Sequence, residues 1–68
     1  MTKKITIAID AMGGENAPKK NIEGLNIFLK ENKRKNDFLI KLFGNEKTIK
    51  LHLEKLDIKD ERVQIVHS

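Results

Sequence analysis

Isoleucines at positions 5, 7 and 9 alternate with Thr6 and Ala8. A period of two with β-branched residues on one side predicts a short strand whose second face carries small side chains. The period then changes. Ile22, Leu25, Phe28 and Leu29 recur at three- and four-residue spacing, which predicts a helix running to about Asn32 with those four on its buried stripe. Phe38 to Phe43 is a nearly continuous apolar run, broken only by Lys41, and reads as a mostly buried strand. Ile49, Leu53 and Leu56 return to helical spacing, with Leu51 off the stripe, and Val63 to Val66 predicts a last strand.

The connections fit these elements. Residues 11–17 form a loop, and Pro18 suits the first turn of the helix that follows, with Asn16 the better chemical cap of the two residues before it. Gly24 weakens that helix and is expected to permit close approach to a sheet. Asn36-Asp37 is a turn signal, Gly44-Asn45 ends the second strand and offers Asn45 as the next cap, and Asp57 to Glu61 is a polar link.

The order strand-helix-strand-helix-strand predicts an α/β fold, a βαβαβ unit with a parallel sheet. Such sheets are buried on both faces, and two helices hardly cover both. Residues 1–68 therefore read as a single incomplete α/β unit, the opening of a larger doubly wound domain. Alone, such a chain is expected to be poorly stable.

Size and composition narrow the functions. Sixty-eight residues cannot form two domains closing on a cleft or a large enclosed pocket. No cysteine is present, which excludes disulfides and thiolate metal sites. The apolar run at 5–9 stops at Asp10, shorter than the roughly 7–15 residues of a secretory core or the roughly 20 of a membrane span, and a cytoplasmic location is expected.

The net charge of +4 is spread along the chain and is densest at Lys30-Glu31-Asn32-Lys33-Arg34-Lys35. That stretch fits an anionic surface or a solvated helix end, where cations suit the macrodipole, and the second reading is favoured. With no Tyr or Trp and three Phe, a base-stacking platform is poorly supported, and no nucleic-acid partner is expected. His52 and His67 have no partner at metal-ligand spacing, so no metal is expected; His67 is conceivable as a general acid or base by its strand-end position.

The first loop holds the candidate chemistry. Ligands of open α/β sheets bind beyond the carboxyl ends of the strands, where Asp10, Gly13, Gly14 and Asn16 fall. Two adjacent glycines let backbone amides approach an anion, and the following helix aims its free N–H groups at the same place. The same residues also fit a tight strand-to-helix turn with no ligand, and on local chemistry that reading weighs more. The dinucleotide and P-loop fingerprints are absent, and Asp10 and Glu15 place negative charge where a polyphosphate would sit.

The string Ile7-Ala8-Ile9-Asp10-Ala11-Met12-Gly13-Gly14, followed by Asn16-Ala17-Pro18, resembles the amino-terminal signature of bacterial phosphate acyltransferases. Leu42-Phe43-Gly44-Asn45-Glu46 and Glu61-Arg62-Val63-Gln64-Ile65-Val66-His67 are similar to later family segments in order and spacing, so the likeness spans essentially the whole chain. Glu15 and Asn45 depart from the usual Asp at both places. The resemblance implies an isocitrate dehydrogenase-like α/β/α architecture several times longer than this chain, working as a homodimer. It implies transfer of an acyl group from acyl carrier protein to inorganic phosphate, without metal or cofactor, and delivery of the acyl phosphate to a membrane glycerol-3-phosphate acyltransferase. The location it implies is cytoplasmic or peripheral at the membrane. Asp10 would orient a loop or substrate proton, and Gly13, Gly14 and Asn16 would form one wall for phosphate or oxyanion. On this reading the present chain is inactive alone. The competing readings are a small anion-binding module and a basic interaction module, both without catalysis.

Overall fold

The computed structural model of the protein describes residues 4–68. Its elements are β1 (Ile5–Asp10), α1 (Lys19–Glu31), β2 (Phe38–Gly44), α2 (Glu46–Lys55) and β3 (Val63–His67). The three strands form one parallel sheet in the order β1-β2-β3. The expected α/β class and element order are therefore observed.

Register explains which side chains are buried. Ile7 pairs with Ile40 and Ile40 with Val63, while Ile9 pairs with Leu42 and Leu42 with Ile65. Partners in register point the same way, so these rows make one apolar face. Ile22, Leu25 and Leu29 of α1 and Ile49 of α2 are buried in a single cluster with Phe38, Ile40 and Leu42. Both helices thus lie on one face of the sheet. The other face carries Ala8, Asp10, Leu39, Lys41, Phe43 and Val66. Its larger apolar members, Leu39, Phe43 and Val66, are half-buried and belong to no core cluster. The central strand β2 alternates buried and half-buried residues along its whole length, the sign of a sheet dressed on one side.

Several local expectations change. Helix α1 starts one residue after Pro18, which sits at the capping position without a side-chain hydrogen bond, so neither Pro18 in the first turn nor Asn16 as cap is realised. The Ala17–Pro18 peptide is cis. A Cβ on Gly24 would meet nothing within 4 Å. Gly24 therefore does not serve close packing; it opens a groove of about 300 Å³ between α1 and β1, walled by Ile7, Ile9, Leu25, Phe28 and Ile40. Phe28 lies at the rim of the core rather than inside it, its ring edge-on to Phe38 with centroids 5.3 Å apart.

The second half follows its sequence more closely. Asn45 caps α2, its side-chain oxygen accepting from Thr48 N–H at 3.0 Å. The helix ends in a Schellman turn: Ile58 N–H donates to the Leu53 carbonyl and Asp57 N–H to that of Glu54. Asp57 takes the left-handed conformation this requires, with φ of 54°.

Candidate functional site

The strand ends fix what the loop can do. Parallel pairing puts the carboxyl ends of β1, β2 and β3 along one edge. Ala11 N–H continues the ladder past β1 by donating to the Phe43 carbonyl at 3.0 Å, and Ser68 N–H does the same past β3 by donating to the Gly44 carbonyl at 3.0 Å. Asp10, the loop after it, Gly44-Asn45 and His67 thus line a common rim, as the sequence suggests.

Asp10 turns back on its own loop. Its Oδ1 accepts from Met12 N–H at 3.0 Å, and its carbonyl accepts from Gly13 N–H at 3.3 Å. A Cβ at Gly13 would lie 3.2 Å from Asp10 Oδ2, so the carboxylate and the missing side chain at 13 fit together. Asp10 is thus an acceptor that shapes the turn.

Gly14 differs. Its φ of 96° is open to glycine at little cost, and a Cβ there would touch nothing. The position needs glycine for its backbone conformation, not for space. Among the described residues the N–H groups of Gly14, Glu15 and Asn16 meet no acceptor. Asn16 contributes to the turn through its carbonyl, which accepts from Lys20 N–H at 3.0 Å. Asp10, Gly13, Gly14 and Asn16 are therefore brought together. Asp10 and Gly13 are engaged inside the loop, whereas the amides from Gly14 to Asn16 remain open to a ligand.

Two side chains that hold this loop, one outside it and one within it, are not evident from the sequence. Asn21, in the first turn of α1, extends its side-chain amide to three loop carbonyls: Asp10 at 3.3 Å, Ala11 at 3.0 Å and Gly13 at 2.8 Å. Nothing in the spacing singles out this asparagine, because a polar residue at that position also fits a solvated helix face. Met12 is the other. It leans over Gly44, where an added Cβ would fall 2.5 Å from Met12 Cγ.

His67 accepts at Nδ1 from the N–H of Glu46, the first residue of α2, at 3.1 Å. Together with the Asn45 cap, this occupies two of the amino-terminal donors of α2. The basic stretch lies away from this rim, at the other end of α1. Lys33, Arg34 and Lys35 share a shallow hollow there with Lys59, and Asp60 and Glu61 stand among them. The acidic neighbours dilute the positive field.

An open parallel α/β unit of this kind belongs to the broad class that receives ligands beyond the carboxyl ends of its strands. The comparisons with known proteins are narrower. The family profile described as "Fatty acid synthesis protein" matches residues 5–68. The phosphate acyltransferase of Streptococcus thermophilus is 50% identical over 62 residues, covering 91% of this chain and 16% of that protein. The phosphate acyltransferase of Exiguobacterium sibiricum is 45% identical over 62 residues, covering 91% of this chain and 17% of its own length. That of Pelagibacter ubique is 40% identical over 68 residues, all of this chain and 19% of the relative. The chain belongs to the fatty acid synthesis protein family, the phosphate acyltransferases among it. It spans under one-fifth of the length of the curated relatives it matches.

Proposed function

We propose that this chain supplies the phosphate-side wall of a phosphate acyltransferase. The observation that carries this is the run of open amides at Gly14, Glu15 and Asn16, within a loop whose sequence carries the family signature. In the reaction a phosphate oxygen attacks the thioester carbonyl of acyl carrier protein. The carbon–sulfur bond breaks, the carrier leaves as its thiol after taking up the proton that phosphate gives up, and acyl phosphate forms. The loop's part is to hold phosphate in line by backbone hydrogen bonds, which gain strength against a charged acceptor. Gly14 and Asn16 offer those bonds, Gly13 lets the turn close, and Asp10 holds the loop in shape.

Residues 1–68 form a single incomplete α/β unit on this reading, the first part of an isocitrate dehydrogenase-like α/β/α domain. The half-buried Leu39, Phe43 and Val66 on the open sheet face support it, because a parallel sheet ordinarily carries helices on both faces. The remaining wall, the carrier-protein contact and the homodimer interface belong to the longer protein, as does delivery of the product to a membrane glycerol-3-phosphate acyltransferase. No described helix is long and apolar enough to cross a membrane. The location we propose is cytoplasmic or peripheral at the membrane.

The test is complementation. The chain is co-expressed with the remainder of a phosphate acyltransferase lacking the matched segment. Acyl phosphate and free carrier thiol are then measured with acyl carrier protein thioester and inorganic phosphate. The chain alone is expected to be inactive and the assembled pair active. A folded, assembled pair that forms no acyl phosphate overturns the proposal.

A further inference from the structure

We propose that Asn21 is the positioning residue of the phosphate-binding loop, an inference that rests on the functional reading above. In a trans peptide the C=O and N–H point in opposite directions. Asn21 draws the carbonyls of Asp10, Ala11 and Gly13 toward one side-chain amide. The N–H groups of the same three peptide units, those of Ala11, Met12 and Gly14, are thereby turned the other way. Two of them are taken up: Ala11 N–H by the Phe43 carbonyl and Met12 N–H by Asp10 Oδ1. The third, at Gly14, is left facing outward. Its carbonyl partner at Gly13 makes the shortest of the three bonds to Asn21, at 2.8 Å.

The side-chain NH₂ has two hydrogens for three acceptors, so at least one hydrogen is shared. A shared donor holds a loop's shape better than it holds any single carbonyl, which suits a part that sets peptide orientation. Asn21 sits in the first turn of α1, two residues after its start, and the buried Ile22 next to it anchors that turn in the core. The loop is thus referenced to the rigid α/β core through one side chain. Asn21 touches no reacting atom on this account; it acts through the Gly14 amide.

The experiment is a titration of the ¹⁵N-labelled chain with inorganic phosphate, comparing the natural sequence with Asn21→Leu and Asn21→Gln. Leucine keeps the shape and removes both donors without adding charge. Glutamine keeps the donors on a longer arm. Phosphate affinity read at the Gly14 amide is expected to fall about tenfold in Asn21→Leu, the size of one lost charge-assisted bond, and less in Asn21→Gln. Core amides of Ile40 and Leu42 should keep their positions. If both variants bind phosphate as the natural chain does, with only a lower unfolding midpoint, Asn21 is a structural clamp and the proposal fails. If Asn21→Leu does not fold, Asn21→Ala takes its place, and phosphate affinity equal to that of the natural chain in that donor-free variant overturns the proposal equally. If the natural chain itself shows no response at Gly14, the phosphate reading of the loop falls first, and the role of Asn21 falls with it.

Discussion

Arg62 and Asp60 form a two-pronged ion pair at the entrance to β3, with Nε 2.9 Å from Oδ1 and Nη2 2.7 Å from Oδ2. The same guanidinium lies 4.7 Å from the centre of the Phe38 ring, and its Nη1 donates to the carbonyls of Asn32 and Lys35. One side chain therefore ties the end of α1, the turn after it and the start of β3 to the middle strand. Replacing it is expected to cost about 2–3 kcal/mol for Arg62→Ala, the range for charge-assisted bonds to partly buried groups. Lysine cannot reproduce the planar fork, so Arg62→Lys should lose at least half of that. Denaturant unfolding measures both.

The hydrogen bond from Arg62 holds the Asp60 carboxyl below its usual 3.8, while burial opposes it and loses. A carboxylate more acidic in the folded state favours folding wherever it is ionised. The pair's contribution should be complete above about pH 5 and decline as pH falls through 3.8 and below. Unfolding midpoints of the natural chain and Asp60→Asn are expected to converge in that acid range. Parallel curves from pH 6 down to pH 2 would show the pair to be worthless.

Asp57 is the one non-glycine residue at positive φ among those described. It also places a negative charge at the carboxyl end of α2, where the macrodipole disfavours it. Its exposed contact with Lys59, at 3.8 Å, is too weak to compensate. Asp57→Gly should therefore stabilise the chain by about 1 kcal/mol. A lower midpoint would contradict the cap geometry.

Gly44 and Gly14 both sit at positive φ, 156° and 96°, but only Gly44 also lacks room for a side chain. At Gly44 the new Cβ meets Met12 Cγ at 2.5 Å and Ile49 Cδ1 at 3.2 Å. Met12 yields more readily than buried Ile49, so a loss of about 1–3 kcal/mol is expected together with displacement of the first loop. Gly14→Ala meets no atom, and its cost of about 1–2 kcal/mol comes from the backbone alone. Gly44→Ala should shift the Met12 methyl resonance strongly and Gly14→Ala should not.

His67 accepts from Glu46 N–H through Nδ1, which leaves the proton of the neutral ring on Nε2. Two-bond ¹H–¹⁵N spectra near pH 8 should show that single tautomer. An Nδ1–H ring would remove the link between β3 and α2 that the geometry describes.

The strands and helices were legible because their apolar periods are clean. Ile5-Ile7-Ile9 and Ile49-Leu53-Leu56 leave little choice of element. What failed depends on distance across the fold. Gly24 reads as a packing glycine in sequence, yet no strand residue approaches it. Asn16 reads as a cap, but α1 begins three residues later and leaves its side chain outside the helix. Asp10, Gly13, Gly14 and Asn16 were identifiable as a cluster because one loop contains them. Asn21 and Met12 were not, since their partners are loop carbonyls and a glycine on another strand. Arg62 is the same case, a charge just after a polar link whose partners Asn32, Lys35, Phe38 and Asp60 lie on separate segments.

The open amides after Gly13 are expected to receive phosphate. Amide shifts of the natural chain, mapped during titration with inorganic phosphate, decide this. Saturable shifts led by Gly14, Glu15 and Asn16 are expected, with little change from Lys30 to Lys35. Shifts centred on Lys33, Arg34, Lys35 and Lys59, with the first loop silent, would contradict it.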